Sequence, residues 1–228
     1  SSDLGCDGAN SWLRSEAGID IRVSPYGHSG VVANFLCERD HGGVAHQWFT
    51  GDGVLAYLPL PERRMSMVWS CADPERLLAL SGDELCRQVA ERGQFTLGQL
   101  SLLTPAQAFP LRLIRPAQVI GTRLVLAGDA AHTIHPLAGQ GVNLGFGDAI
   151  LLAKLLAQAD DPGSRLLLRS YERGRLESVR TMQYTCDALF RLFTHPHPAI
   201  GWLRNTGLKF TNALGPVKRQ LVKEAMGL

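Results

Sequence analysis

The sequence predicts a mixed α/β (α+β) fold, in which an antiparallel sheet, a separate α/β segment and C-terminal helices share one chain of 228 residues. Short apolar and β-branched runs follow one another between residues 22 and 115, as in antiparallel sheets. A nearly all-apolar run, Arg123–Ala127, ends at Gly128-Asp129 and is typical of a strand buried on both faces. Two long apolar-patterned stretches follow it and predict helices.

Composition narrows the class of protein further. Hydrophobic residues make up 45% of the chain and its formal net charge is +2, which excludes disorder and coiled coil and gives no electrostatic footprint for nucleic acid. The five cysteines form no C-x-x-C pair, so no zinc or thioredoxin motif is indicated, and scattered thiols favour a reducing compartment. No apolar run approaches the ~18 residues that a membrane span needs.

The middle of the chain predicts most of the sheet. Its strands are expected at Val31–Cys37, Val44–Phe49, Val54–Leu58, Met65–Ser70, Phe95–Leu103 and Ala106–Leu113. The turn Thr50–Gly53 predicts a hairpin. Asp73-Pro74-Glu75 is typical of a helix start, so one helix is expected over Asp73–Arg92.

The C-terminal half predicts three helical stretches. Val142–Ala157 is apolar almost all round, which predicts deep burial. Ser164–Phe193 is a second long helix, which Pro196 and Pro198 should end. A helical tail is expected from Ile200 to Met226.

The stretch Gly128–Phe146, GDAAHTIHPLAGQGVNLGF, carries the chemistry. An Asp at the carboxyl end of a buried strand projects into the crevice where open α/β sheets bind ligands, and Asp129 can accept hydrogen bonds there. The Gly139-Gln140-Gly141 turn admits a ligand close to the backbone and leads into a helix whose first amides favour an anion. The competing interpretation, that Asp129 only caps a helix and the glycines form a tight loop, does not account for the whole run.

This stretch closely resembles the second FAD motif of the class A flavoprotein monooxygenases, which have the p-hydroxybenzoate hydroxylase-like fold. Within that family, the residues HTIHPLAGQGVNLGF are most similar to the ubiquinone-biosynthesis hydroxylase branch. The opening Gly5-Cys6-Asp7-Gly8, with Arg14, resembles the "DG" motif of the family, with Cys6 in place of the usual Ala. The stretch from Phe49 to Leu60 is similar to the substrate-domain sheet of this branch.

The resemblance implies a set of cofactor-binding residues. Asp129 would bond the ribityl chain of FAD. Pro136 and the backbone near Leu137 and Ala138 would lie beside the reactive edge of the flavin. The N-terminal end of the helix would face the flavin pyrimidine through Gly139, Gln140, Gly141, Val142 and Asn143. Asp7, Gly8 and Arg14 would lie near the cofactor pyrophosphate and the nicotinamide approach, and no side chain is named as a catalytic acid or base.

Three further features have weaker interpretations. His132 and His135 have H-x-x-H spacing, but no third ligand or general-base Glu accompanies them, so no metal site is predicted and both are expected to be structural. Gly51-x-Gly53-x-x-Ala56 matches a dinucleotide fingerprint but no helix follows it. The basic, apolar-patterned tail around Lys209–Lys223 is interpreted as a solvated helix face, with a membrane surface or a partner as the alternative.

The resemblance also implies a domain plan. Residues 1–21 would be a remnant of a Rossmann-like FAD-binding domain, 22–118 a substrate domain of mostly antiparallel sheet, 119–195 the flavin-facing part of the FAD-binding domain, and 196–228 a C-terminal helical tail. The first family motif, a G-x-G-x-x-G after an opening strand, is not found in the right context. We therefore expect a C-terminal fragment that binds FAD weakly or not at all, is inactive alone, and leaves a sheet edge that self-association would cover.

The function implied is hydroxylation of an aromatic ring of a polyprenylated ubiquinone precursor, with FAD as cofactor, NAD(P)H as reductant and O₂. The partner would be a small aromatic, lipid-soluble substrate and not nucleic acid. The expected location is cytoplasmic. Peripheral contact with the inner membrane, contact with a biosynthetic complex and association with a second copy are left open. A flavoprotein acting on another aromatic substrate and a non-catalytic scaffold module are the alternatives.

Overall fold

The computed structural model describes residues 2–50, 53–136 and 139–194, together with 201, 206, 207, 214–216 and 219. The chain divides into two compact units. In the described part of the chain, the first unit contains residues 2–24 and Arg112–Leu192, and the second unit contains Pro25–Leu111 and Phe193. The predicted tail from Ile200 to Met226 and the predicted break at Pro196 and Pro198 lie outside the described residues, apart from the isolated positions given above.

An antiparallel sheet forms the second unit. Its strands are β2 (Ile21–Cys37), β3 (His46–Thr50), β4 (Gly53–Pro59), β5 (Arg64–Cys71), β6 (Leu100–Leu102) and β7 (Gln107–Pro116), preceded in the chain by β1 (Asp3–Gly5). The strand order is β3-β4-β5-β2-β6, and β7 also pairs with β2. Alternate residues of β5, Met65, Met67 and Trp69, are buried, because successive side chains of a strand point to opposite faces.

The helical segment of this unit is interrupted, so the prediction of one helix over Asp73–Arg92 was wrong. Two helices are present, α2 (Pro74–Leu78) and α3 (Gly82–Arg92), after the short N-terminal helix α1 (Trp12–Glu16). Asp73 caps α2 as expected, by accepting from the Arg76 amide at 3.2 Å. Ser81 accepts from the Glu84 amide at 3.3 Å and so starts a second helix where the first has ended.

The strand predicted over Phe95–Leu103 was also too long. Only Leu100–Leu102 is extended. Gln94 and Phe95 have positive φ angles of 55° and 50°, which turn the chain and cannot continue a strand.

The first unit contains a small sheet between helices. Parallel β1 and β9 (Leu124–Leu126) are neighbours, and β8 (Ile120–Gly121) pairs antiparallel with β9. Leu124 and Leu126 pack with Ile19 and Ala130, whereas Val125 packs into a separate cluster with Leu152 and Tyr171. The prediction of a strand buried on both faces is confirmed.

Two long helices complete this unit, α4 (Gly141–Leu156) and α5 (Arg165–Thr194). The extent of each agrees with its prediction, but the deep burial predicted for the first was wrong. Only Leu144, Asp148 and Leu152 of α4 are buried, while Val142, Phe146 and Ile150 are 66%, 62% and 70% exposed. Each set repeats every four residues, so the helix packs on one face only.

Candidate functional site

Two acidic residues of the first unit follow neighbouring strand ends. Parallel β1 and β9 are in register, with Gly5 opposite Leu126. Asp7 therefore follows the carboxyl end of one strand and Asp129 the carboxyl end of the next. In an open α/β sheet this edge is where ligands bind.

Asp7 organises its own turn. Its Oδ2 accepts from the Leu13 amide at 3.1 Å. Hydrogen bonds from the Ser11 side chain and the Leu13 amide hold the pKa of the exposed Asp7 carboxyl below its usual value. Gly8 has a φ of +85°, which favours glycine at this point of the turn.

Arg14 links this turn to the one after β9. It is only 4% exposed. Its guanidinium donates to the carbonyl oxygens of Ala9 and Ala130, both at 2.9 Å. Arg14 thus positions the backbone of both turns, and these two bonds turn its Nη1 and Nη2 atoms toward protein carbonyls.

Asp129 lies in a 3₁₀ turn, Gly128–Ala130, and its side chain is exposed. Residue Ala127 takes the cap position of this turn, with no side-chain cap. Within the described part of the chain, the Asp129 carboxylate forms no hydrogen bond or ion pair. The turn is therefore held by other residues, and this carboxylate is available to an external hydroxyl.

The N-terminal end of α4 lacks the usual side-chain cap. Gln140 occupies the cap position without a capping bond, and no acidic residue lies in the first turn. The first amides of a helix have no partner inside it, and the helix dipole makes this end positive. The Asn143 side chain donates to Gln140 Oε1 at 2.8 Å, so this bond does not involve these amides. Gly141, Val142 and Asn143 thus form an end that favours an anionic group.

A tight turn leads into this helix end. The Gly139 amide donates to the Pro136 carbonyl at 2.9 Å, and Gly139 has a φ of +63°. Apart from Gly139 itself and its two neighbours in the chain, no atom of the described residues lies within 4 Å of the position that a Cβ at Gly139 would take. Among those residues, its backbone is open to close approach. Leu137 and Ala138, which were predicted to lie here, are outside the described residues.

A buried ionic cluster, which the sequence did not reveal, holds the turn before Asp129. Asp148 is fully buried in α4. Its Oδ2 accepts from the Gly128 amide and from His132 Nε2, each at 2.8 Å, and its Oδ1 accepts from Arg175 Nε at 2.6 Å. We call Asp148, His132 and Arg175 the α4–α5 cluster. Since an ionised carboxylate only accepts, the His132 proton lies on Nε2.

The electrostatics of the cluster favour an ionised Asp148. Burial by itself would raise the pKa of this carboxyl. The bonds from His132, Arg175 and the Gly128 amide outweigh burial, and the Asp148 pKa lies below its usual value. Arg175 also donates to the Leu144 carbonyl at 2.9 Å, which fixes the guanidinium on α4.

One sequence signal for this cluster existed. Asp148 is the only acidic residue in the apolar stretch Gly141–Leu156, and a lone carboxylate in such a helix needs a buried partner. Gly147 supplies space for that partner, since a Cβ there would lie 2.8 Å from the Arg175 guanidinium.

The two histidines of the H-x-x-H spacing separate. His132 joins the α4–α5 cluster, whereas the buried His135 ring packs on Phe190 with ring centroids 4.5 Å apart. Among the residues that the structure describes, no group of three His, Cys, Asp or Glu side chains is placed to hold a metal ion.

Comparison with known proteins decides the family. The family model described as "FAD binding domain" matches residues 4–185. The chain belongs to this family. The resemblance to the class A FAD-dependent aromatic monooxygenases of the ubiquinone branch is thereby confirmed.

Two such relatives show the degree of similarity. The 3-demethoxyubiquinol 3-hydroxylase of Escherichia coli (strain K12) is 38% identical over 231 residues, which cover 99% of this chain and 59% of the relative. Ubiquinone hydroxylase UbiL of Rhodospirillum rubrum is 36% identical over 98% of this chain and 54% of its own length. The chain thus spans somewhat more than half the length of these relatives.

Solved structures confirm the fold class. The p-nitrophenol 4-monooxygenase PnpA of Pseudomonas putida superposes with a TM-score of 0.77 at 21% identity, over 97% of this chain and 57% of that one. The Diels-Alderase PyrE3 of pyrroindomycin biosynthesis gives a TM-score of 0.75 at 23% identity, over 100% of this chain and 50% of that one.

Throughout the described part of the chain, no helix combines the length and apolarity needed to cross a bilayer.

Proposed function

We propose that this chain supplies the flavin-facing part of an FAD site in a monooxygenase that hydroxylates an aromatic ring of a polyprenylated ubiquinone precursor, with NAD(P)H as reductant and O₂. One observation carries the proposal: the uncapped N-terminal end of α4 and the unbonded Asp129 carboxylate belong to the same unit, in the stretch that matches the family. The names of the curated relatives support the substrate class.

The residues present fit the cofactor. Asp129 would bond hydroxyls of the ribityl chain. The amides of Gly141, Val142 and Asn143 would face the flavin pyrimidine, where a preorganised helix end stabilises negative charge without reorganisation. The turn of Pro136 and Gly139, with Leu137 and Ala138, would lie beside the reactive edge of the ring.

The remaining site residues act through the backbone. Asp7 and Gly8 shape a turn near the proposed pyrophosphate position, and Arg14 joins that turn to the Ala130 carbonyl. The α4–α5 cluster holds the Gly128 amide, which orients Asp129. When bound, FAD supplies the redox and oxygen chemistry, and this chain contributes binding, orientation and exclusion of water.

Peripheral membrane contact belongs to the same proposal. A lipid-soluble substrate has to be taken from a membrane, and the basic tail Lys209–Lys223 has a composition suited to its surface. We expect the protein to co-sediment with anionic vesicles and not with neutral ones, and to co-sediment less after removal of this tail. Equal recovery with and without vesicles would contradict membrane contact and leave the flavin proposal intact.

The flavin proposal is tested with Asp129→Ala in the whole gene product. Loss of the charge-assisted bonds to the ribityl chain should weaken FAD binding by about 1.5–3 kcal/mol, roughly tenfold to a hundredfold. Flavin fluorescence titration measures the affinity. Asp20→Ala is the matched control, since Asp20 is an exposed Asp of the same unit.

Two results decide between the proposal and its alternatives. Unchanged FAD affinity in the Asp129→Ala variant, or no FAD binding by the wild-type gene product, would overturn the site assignment. Product analysis with prenylated phenols and simple phenols then tests the substrate class, and turnover of the simple phenols alone would overturn it.

A further inference from the structure

A cavity of the first unit lies between α5 and the segment Arg115–Val119. Its volume is about 370 Å³, within the range of small-molecule sites. The charged residues of its lining are four arginines and two carboxylates, namely Arg22, Arg115, Arg175, Arg180, Asp148 and Glu172. We call it the arginine cavity.

The two carboxylates do not neutralise the arginines. Asp148 is held by Arg175, His132 and the Gly128 amide. Glu172 Oε1 accepts from the Val119 amide at 3.2 Å. No carboxylate in the described residues forms an ion pair with Arg22, Arg115 or Arg180.

One of these three arginines is held in place by its neighbours. Arg115 Nε donates to Gln183 Oε1 at 3.0 Å, and its guanidinium stacks over the Tyr184 ring at 5.0 Å from the centroid. Gln183 is itself buried and donates to the carbonyls of Ile114 and Thr133, both at 3.3 Å. The Arg115 fork is therefore preorganised, and its Nη atoms have no protein acceptor among the described residues.

Arg22, Arg115 and Arg180 line one cavity without a carboxylate partner among the described residues, and arginine cannot shed its charge by losing a proton. A bound anion would offset this excess of positive charge. Guanidinium forks match phosphate oxygens in geometry and bind them with charge-assisted hydrogen bonds. We propose that the arginine cavity binds a phosphate group, either as free phosphate or on a small organic phosphate.

The remaining wall leaves room for an organic body. Val119, Leu176 and Val179 add apolar surface beside the arginines. None of the three unpaired arginines belongs to the proposed flavin site, so the inference does not depend on the proposed function.

Calorimetric titration of the 228-residue chain with sodium phosphate at constant ionic strength tests the inference. Saturable binding is expected for the wild type, and Arg180→Gln and Arg22→Gln should each weaken it by about tenfold or more. Arg173→Gln is the matched control, because Arg173 is an exposed arginine of the same helix that does not line the cavity. Its affinity should stay within about twofold of wild type.

Two outcomes would overturn the site: no saturable phosphate binding by the wild type, or an equal loss in Arg173→Gln and Arg180→Gln. Far-UV circular dichroism of each variant separates loss of binding from loss of folding. Phenyl phosphate, titrated in parallel, shows whether the site favours free phosphate or an organic phosphate. Tighter binding than inorganic phosphate indicates an organic phosphate, and weaker binding indicates the free ion, each supporting the site.

Discussion

Asp148 shows how one buried side chain can hold the turn that precedes a proposed ligand-binding residue, Asp129. Its carboxylate joins the Gly128 amide, His132 and Arg175, which lie 20, 16 and 27 residues from Asp148 in the sequence. Asp129, the residue that follows the Gly128 amide held by the cluster, stays exposed and unbonded within the described residues. The buried Asp148 has a structural role, and the exposed Asp129 is the acid proposed for binding.

Replacing Asp148 by Asn should destabilise the fold strongly. The volume is nearly conserved, but Arg175 and His132 lose their buried anion, and breaking such a pair costs about 3–5 kcal/mol. Urea denaturation measures the free energy of unfolding. The control Asp20→Asn, at an exposed position, should stay within about 0.5 kcal/mol of wild type. A loss below about 1 kcal/mol in the Asp148 variant would show that the cluster is not stabilising.

The same carboxylate gives a specific acid dependence. Its pKa is lower in the folded chain than the value of about 3.9 expected when unfolded. The stabilisation is therefore fully present above the unfolded pKa and is lost as the pH falls through the folded pKa. We expect the stability gap between wild type and Asp148→Asn to be constant near neutral pH and to shrink below about pH 4. A gap that widens on acidification would contradict this assignment.

Helix α4 combines a packed face, an exposed apolar face and an open N-terminal end. Leu144, Asp148 and Leu152 anchor one face, and the uncapped first turn stays accessible. A cap residue would have satisfied those amides internally. Its absence leaves about half a positive charge at the position proposed for the flavin pyrimidine.

A glutamate at this helix end should separate stability from cofactor binding. Val142→Glu places a negative charge at the positive end of the dipole, so the folded state should gain about 0.3–1 kcal/mol. The same charge competes with the electron-rich flavin ring, so FAD affinity should fall by about tenfold in the whole gene product. Thermal denaturation and flavin titration measure the two effects.

Ile150→Glu is the control for this prediction. Ile150 lies on the same exposed face and is 70% exposed, but it is two turns from the helix start. Its FAD affinity should stay within about twofold of wild type. Equal losses in both variants would indicate a general charge effect and contradict the role of the helix end.

The two units differ in how the chain builds them. The core cluster of the second unit, from Val31 to Leu100, lies wholly within the segment Pro25–Leu111, and the unit also includes Phe193 of α5. The first unit is assembled from separate segments, because β1 pairs with β9 through Asp3–Gly5 and Leu124–Leu126. A unit of this kind forms only after the intervening chain has been made.

The segment Pro25–Leu111 should fold by itself. Expressed alone, it should show cooperative urea unfolding and dispersed amide resonances, because the core cluster of the second unit lies wholly within it. The pair Leu55→Ala and Leu58→Ala provides the check. Leu55 is fully buried, so Leu55→Ala should lower the free energy of unfolding by about 2–5 kcal/mol. Leu58 is 42% exposed, so Leu58→Ala should lower it much less. An excised unit that unfolds without cooperativity would contradict independence.

Much of this architecture was predictable because it depends on local patterns. The buried run Leu124–Leu126, the alternation in β5 and the Asp73 cap are each encoded within a few neighbouring residues. The glycine-rich stretch before α4 and its family resemblance are equally local. The helix predicted over Asp73–Arg92 and the strand predicted over Phe95–Leu103 were wrong because the local sequence was ambiguous. Ser81 could continue a helix or cap a new one, and Phe95 could extend a strand or enter a turn.

The amino-acid sequence by itself determined the family and the fold class, and it singled out the stretch that we propose faces the flavin. Only the tertiary structure decided which side of α4 is packed, that Asp148 joins His132 and Arg175, and that Arg22, Arg115 and Arg180 line one cavity. These facts depend on residues that are far apart in the chain and meet only after folding. Periodicity reports whether a helix has an apolar face, but burial depends on what packs against that face.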